Sequence, residues 1–105
     1  MSEQVRIQWT TDRILDFLHD HAETLQAMGV VKIGLFGSYV RGEQTSDSDM
    51  DFLVQMRSPA YRDFMNVLHF LEDHFNCKID LGEEHLLKPA MRPVILREVK
   101  YAEGF

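Results

Sequence analysis

The sequence predicts an α/β (α+β) domain, a small mixed β-sheet with helices packed on it. Two observations carry this. Short β-branched or apolar runs that suit strands are interleaved with longer stretches whose apolar residues recur at helical spacing. No internal repeat, low-complexity stretch or long linker divides the chain. At 105 residues, with 45% hydrophobic and 27% charged content, residues 1–105 read as one domain. A domain this small buries a modest share of its surface and leaves little chain for a separate substrate-binding lobe.

Taken in order, Thr10-Thr11-Asp12 can cap a first helix, in which Ile14, Leu15, Leu18, Ala22, Leu25 and Met28 recur at near-helical spacing up to Gly29. Val30 to Phe36 is β-branched and almost continuously apolar, which predicts a strand buried on both faces, ending at Gly37-Ser38. Asp51 to Met56 reads as a second strand, closed by Ser58-Pro59. Tyr61, Phe64, Met65, Leu68, Leu71 and Phe75 then form the apolar stripe of a second helix, with Asn76 as its stop. Cys77 to Leu81 is a third strand candidate. The tail from Leu86 to Val99 has a helical pattern interrupted by Pro89 and Pro93, which predicts two short turns, or a helix starting near Pro93, in place of one rod. Glu83-Glu84 is expected to be a solvated turn or the start of this last helical region.

Charge and composition exclude several classes. A formal net charge of -6 gives no general attraction to nucleic acid, so direct nucleic-acid binding is disfavoured. Met1 to Arg6 carries no apolar signal core and no run approaches the roughly 18 apolar residues of a spanning helix, so a cytoplasmic protein without membrane association is expected. The single cysteine, Cys77, reads as a reduced packing residue. His19, His21, His69, His74 and His85 show no zinc-ligand spacing.

The chemistry concentrates between Gly37 and Asp51. A glycine and a serine at the end of a buried strand, opening what can be one helical turn, offer backbone N–H groups and a hydroxyl to an anion, and phosphate is the natural guest. The lysine of a P-loop is missing. Asp49 and Asp51 follow, two apart at the entry to a strand, so both carboxylates face one way while Met50, Phe52, Val54 and Met56 can face the core. Asp80 has the same alternation between Ile79 and Leu81. If the two strands are adjacent, three carboxylates converge, and such a cluster tends to take up protons unless a cation compensates it. Oxygen-only ligands suit Mg²⁺ or Mn²⁺ bridging to substrate phosphates, and Asp80 could also accept the proton of an acceptor hydroxyl. The competing reading of Asp47, Asp49 and Asp51 is a solvated acidic loop. Arg41 could pair with Glu43 or Asp47 at the surface.

Gly37-Ser38, ten intervening residues and Asp49-Met50-Asp51, together with Arg41-Gly42 and Ser48, resemble the signature of the DNA polymerase β-like nucleotidyltransferases, nearest to their minimal, MntA-like antitoxin branch. Asp80 in Ile79-Asp80-Leu81 matches that family's third carboxylate. The resemblance implies a polymerase β palm-like fold in which Gly37 and Ser38 hold the triphosphate of ATP, with Arg41 as a phosphate contact or as loop structure, while Asp49, Asp51 and Asp80 bind Mg²⁺ or Mn²⁺. It further implies transfer of AMP to a tyrosine of a cognate HEPN-domain toxin in a hetero-oligomer, as the antitoxin of a type VII-like toxin–antitoxin pair; a homodimer is also compatible. The alternatives are a non-catalytic module that blocks a toxin sterically, and a nucleotidyltransferase acting on a small-molecule acceptor.

Overall fold

The computed structural model describes residues 9–45 and 47–105. The Met1 to Arg6 stretch, and Ser46 within the acidic segment, lie outside the described residues.

Helix α1 (Thr11–Asp20) starts where expected: Thr10 is in extended backbone and its Oγ1 accepts from the Arg13 N–H at 3.2 Å. The apolar stripe that predicted one helix up to Gly29 is shared by two, because α2 (Ala22–Ala27) follows a break at His21. There the Phe17 carbonyl accepts from both the His21 backbone N–H (3.1 Å) and its ring Nδ1 (2.8 Å), and the imidazole stacks on the Phe17 ring at 4.1 Å. A side chain bonding back onto the helix carbonyls distorts the ladder at that point.

Strands β1 (Val30–Phe36), β2 (Met50–Met56), β3 (Ile79–Glu83) and β4 (Lys100–Tyr101) form one mixed sheet in the order β3-β2-β1-β4. β1 runs antiparallel to β2 and β4, whereas β2 and β3 are parallel. Parallel neighbours need a crossover, which helix α4 (Tyr61–Phe75) supplies. The prediction for α4 holds at both ends, and Asn76 stops it with φ 52 in the left-handed region.

One sheet face carries Ile33, Leu35, Met50, Phe52 and Val54 into a core with Ile14, Leu18, Leu25, Val67, Leu71 and Phe75 from the helices. The other face is only partly covered. Leu53 is buried there, and helix α5 (Arg92–Glu98) brings in the buried Ile95. The expectation that β1 is buried on both faces holds from Ile33 to Leu35 and fails at Val31, which is 43% exposed. Val31 is the extra residue of a β-bulge, since Val30 pairs Met56 while Lys32 pairs Gln55.

The tail bears out the proline reading: a 3-10 turn, Glu84–Leu86, is followed by α5 with Pro93 in its first turn. Glu83 and Glu84 are not a solvated turn. Glu83 belongs to β3 with its side chain only 12% exposed beside His85, and Glu84 opens the 3-10 turn with its carboxylate 3.7 Å from Lys32 Nζ. Strand β4 was not foreseen; Gly34 makes room for it, because a Cβ there would lie 2.8 Å from Val99 Cγ2 and 2.9 Å from the Lys100 carbonyl. Among the described residues no helix is long and apolar enough to cross a membrane.

Candidate active site

The site forms where β1 ends. Gly37 turns the chain with φ 81 and ψ -153, a backbone that side chains disfavour, and α3 (Ser38–Arg41) follows, closed by Gly42 at φ 72. Thr11 Oγ1 donates to the Tyr39 carbonyl at 2.7 Å and ties this short turn to α1. The N–H groups of Ser38 and Tyr39 stand in the first helical turn, where no intrahelical acceptor exists.

β2 enters the sheet beside this turn. Just ahead of Asp49, the Ser48 N–H donates to the Thr45 carbonyl (3.1 Å) and the Thr45 N–H donates to Ser48 Oγ (2.8 Å). The Met50 N–H donates to the Lys78 carbonyl at 3.1 Å and pins β2 to the chain entering β3. The register then sets Asp51 opposite Phe36 on one side and opposite Asp80 on the other. Asp49 lies just before the strand, where its charge reaches Asp51. The alternation expected of β3 is observed, with Ile79 buried and Asp80 exposed.

Asp51 packs directly on the glycine turn: a Cβ on Gly37 would lie 2.1 Å from Asp51 Oδ2. Its carboxyl is pushed up from 3.8 to about 6, first by burial and then by the charges of Asp80 and Asp49, with Arg41 acting in the opposite sense. The charges of Asp80 and Asp49 therefore both reach Asp51. Among the described residues, no group of three or more His, Cys, Asp or Glu side chains is arranged to hold a metal ion, so Asp49, Asp51 and Asp80 are electrostatic neighbours and not a preformed metal site. Lys78 Nζ comes within 3.8 Å of Asp49 Oδ2, but the lysine is 80% exposed and compensates little.

Arg41 pairs with Glu43, one of the two partners expected of it at the surface, and with Glu98. Its Nε donates to Glu43 Oε1 at 2.9 Å and its Nη1 donates to Glu98 Oε1. The second oxygen of Glu98 accepts the Gly37 N–H at 3.1 Å. Glu98 also raises the Asp51 carboxyl. It is the functional-site residue that sequence reasoning misses, lying 61 positions beyond Gly37 at the end of a helix, with no motif or spacing to mark it. Cys77 is a half-buried free thiol whose pKa burial pushes up, in keeping with a packing role. His21 and His74 belong to an aromatic cluster with Phe17 and Phe70. An open cavity of about 400 Å³ beside Asp16, His19 and Glu103 contains none of the predicted site residues; another, of about 370 Å³, adjoins Arg41 and Gly42.

Residues 13–102 match the sequence profile of the nucleotidyltransferase domain. The chain is similar to protein adenylyltransferase MntA of Thermococcus cleftensis, with 38% identity over 94 residues that span 88% of this chain and 95% of that one. A solved structure provisionally described as a minimal nucleotidyltransferase superposes with a TM-score of 0.66 at 31% identity, covering 82% of this chain and 93% of the other. A mutant of the toxin–antitoxin MntA–HpeT superposes with a TM-score of 0.63 over 93% of this chain and 75% of that one; at 21% identity this bears on the fold alone.

Proposed function

The chain belongs to the nucleotidyltransferase domain family, and from that premise we propose that it transfers AMP from ATP to a hydroxyl of a partner protein, the tyrosine of a HEPN-domain toxin, and so serves as an antitoxin. The observation that carries the reading is the packing of the Gly37 turn on Asp51 within a sheet register that also pairs Asp51 with Asp80. An anion-binding turn and a carboxylate cluster in direct contact suit a triphosphate held together with its cations.

The donor chemistry suits a divalent cation, although these side chains are not preformed as a metal site: Asp49, Asp51 and Asp80 offer acceptor-only oxygens, and Asp51 is raised by burial and by the charges of Asp80 and Asp49, which a cation would offset. Mg²⁺ or Mn²⁺ bound there would neutralise the triphosphate and lower the pKa of the attacking hydroxyl. The chain's own residues supply position and proton transfer. The Ser38 hydroxyl and the first-turn N–H groups hold the phosphates. Asp80, exposed at the rim, accepts the proton of the acceptor hydroxyl as its oxygen bonds the α-phosphorus and the bond to the departing pyrophosphate breaks.

The relative in Thermococcus cleftensis is named as a protein adenylyltransferase, which supports a protein as acceptor and adenylyl as the group moved. MntA–HpeT is a toxin–antitoxin, which makes a toxin the first partner to try. The test is mass spectrometry of the candidate partner after incubation with this chain, ATP and Mg²⁺, beside Asp49→Ala and Asp51→Ala. Addition of AMP to a partner tyrosine, cut at least a hundredfold in both variants, is expected from the loss of charge-stabilising groups in a catalytic site. Partner binding with no mass added under any nucleotide or cation would refute the transferase and leave a steric binding module.

A further inference from the structure

We infer that Glu98 is a positioning residue for this nucleotidyltransferase site, resting on the reading above: its carboxylate ties both ends of the turn Gly37–Arg41 to the C-terminal helix and so holds that turn against Asp51. The geometry is specific. Oε2 accepts the N–H of Gly37, which precedes α3, and Oε1 accepts Nη1 of Arg41, which ends it. One side chain therefore spans the whole turn.

Its mount is rigid. Glu98 is the last residue of α5, whose Ile95 is buried, and the Val99 N–H returns to the Ile95 carbonyl at 2.9 Å. Two residues on, β4 pairs with Gly34 and Leu35 of β1, the strand that leads into the turn. The carboxylate and the turn it holds are thus anchored to one strand a few residues apart. The Glu98 side chain is only 19% exposed, so its two charge-assisted partners replace most of the water it has lost. The tie leaves other donors for phosphate: the Ser38 and Tyr39 N–H groups, in the first turn of α3, are not used by Glu98.

The alternative arrangement, a carboxylate occupying the place of a phosphate, predicts the opposite response to the same substitutions. Glu98→Gln keeps the shape but can accept through one oxygen only, so one of the two donors is released. Glu98→Asp keeps the charge and shortens the reach. Three quantities are measured on the intact chain: amide hydrogen exchange at residues 37–43 without nucleotide, the Kd for Mg·ATP, and the melting midpoint. Loss of a charge-assisted hydrogen bond predicts that both variants exchange about tenfold faster in the turn and bind Mg·ATP about tenfold more weakly, with exchange in β1 and β2 unchanged. A uniform stability loss would speed exchange throughout the sheet and does not predict that pattern.

Unchanged turn exchange and unchanged Kd in Glu98→Gln overturn the proposal. Tighter Mg·ATP binding overturns it in favour of the phosphate-mimicking arrangement, and a Glu98→Asp variant that behaves as wild type overturns it because charge alone then suffices. If Glu98→Gln does not fold, Glu98→Asp decides by the same readouts. A wild-type chain that binds no Mg·ATP removes the nucleotidyltransferase reading itself, an outcome distinct from a wild type that binds and variants that are indifferent.

Discussion

Replacing Asp51 with asparagine should stabilise the cation-free protein at neutral pH. The folded chain holds the Asp51 carboxyl at about 6, against 3.8 for an ordinary aspartate, because burial and the charges of Asp80 and Asp49 oppose its ionisation. A raised folded-state pKa means that the native state binds this proton more tightly than the unfolded chain. The stability it contributes is present below about pH 4 and is lost as pH rises through about 6. At about 1.4 kcal/mol per pH unit, the gap sets a ceiling of about 3 kcal/mol. Asp51 is only partly buried, so solvent screening brings the expected figure to about 1–2 kcal/mol. For a domain of this size that corresponds to a melting midpoint roughly 5–10 °C higher for Asp51→Asn than for wild type at pH 7.5 in EDTA. Thermal melts followed by circular dichroism at pH 4, 6 and 7.5 test this. The difference should close at pH 4, where the wild-type carboxyl is itself protonated, and Mg²⁺ at pH 7.5 should raise the wild type more than the variant. A variant that melts with or below wild type at pH 7.5, or a difference that persists at pH 4, would refute the electrostatic account of this site.

Two glycine substitutions probe the framework around it. Gly37→Ala sets a Cβ 2.1 Å from Asp51 Oδ2 on a backbone at φ 81, and it should lower stability by about 2 kcal/mol or more and abolish Mg·ATP binding; chemical denaturation and calorimetry check this, and wild-type values for both would contradict the described contact. Gly34→Ala drives a Cβ into Val99, the Lys100 carbonyl and Tyr101, so a loss of about 1–3 kcal/mol is expected. Amide exchange should accelerate first at Ala102, whose N–H donates to the Ile33 carbonyl, because β4 is what the new methyl pushes away.

What could be read from the sequence was what local pattern encodes. Helix α4 was legible at both ends, since its apolar stripe begins just after Pro59 and stops at a residue that tolerates the left-handed region. The proline-limited tail and the alternation around Asp51 and Asp80 were legible for the same reason. The break at His21 was not, because the apolar stripe runs through it unbroken and the distortion comes from one imidazole bonding to Phe17. Strand β4 spans two residues, too few for any period, and exists because Gly34 admits it. The convergence of the carboxylates depended on β2 and β3 being parallel neighbours in one register, which neither strand's own residues specify. Glu98 lay further out of reach: nothing near it in the chain distinguishes it from any glutamate that ends a helix.

Arg41 shows how the site's charge is arranged. Arg41, the cation of the turn, is paired with Glu43 and Glu98 within the chain. The groups around the turn and the end of β2 are then Asp49, Asp51, Asp80 and Glu98 against one committed guanidinium and an exposed lysine. A bare triphosphate approaching this surface meets repulsion from four carboxylates and attraction chiefly from N–H dipoles, which act over little more than one helical turn. The charge balance therefore argues that nucleotide and divalent cation are taken up together. Burial, and after it the charges of Asp80 and Asp49, raise the Asp51 carboxyl, and a cation arriving with the nucleotide would offset the second of these, which favours a cation-bearing substrate.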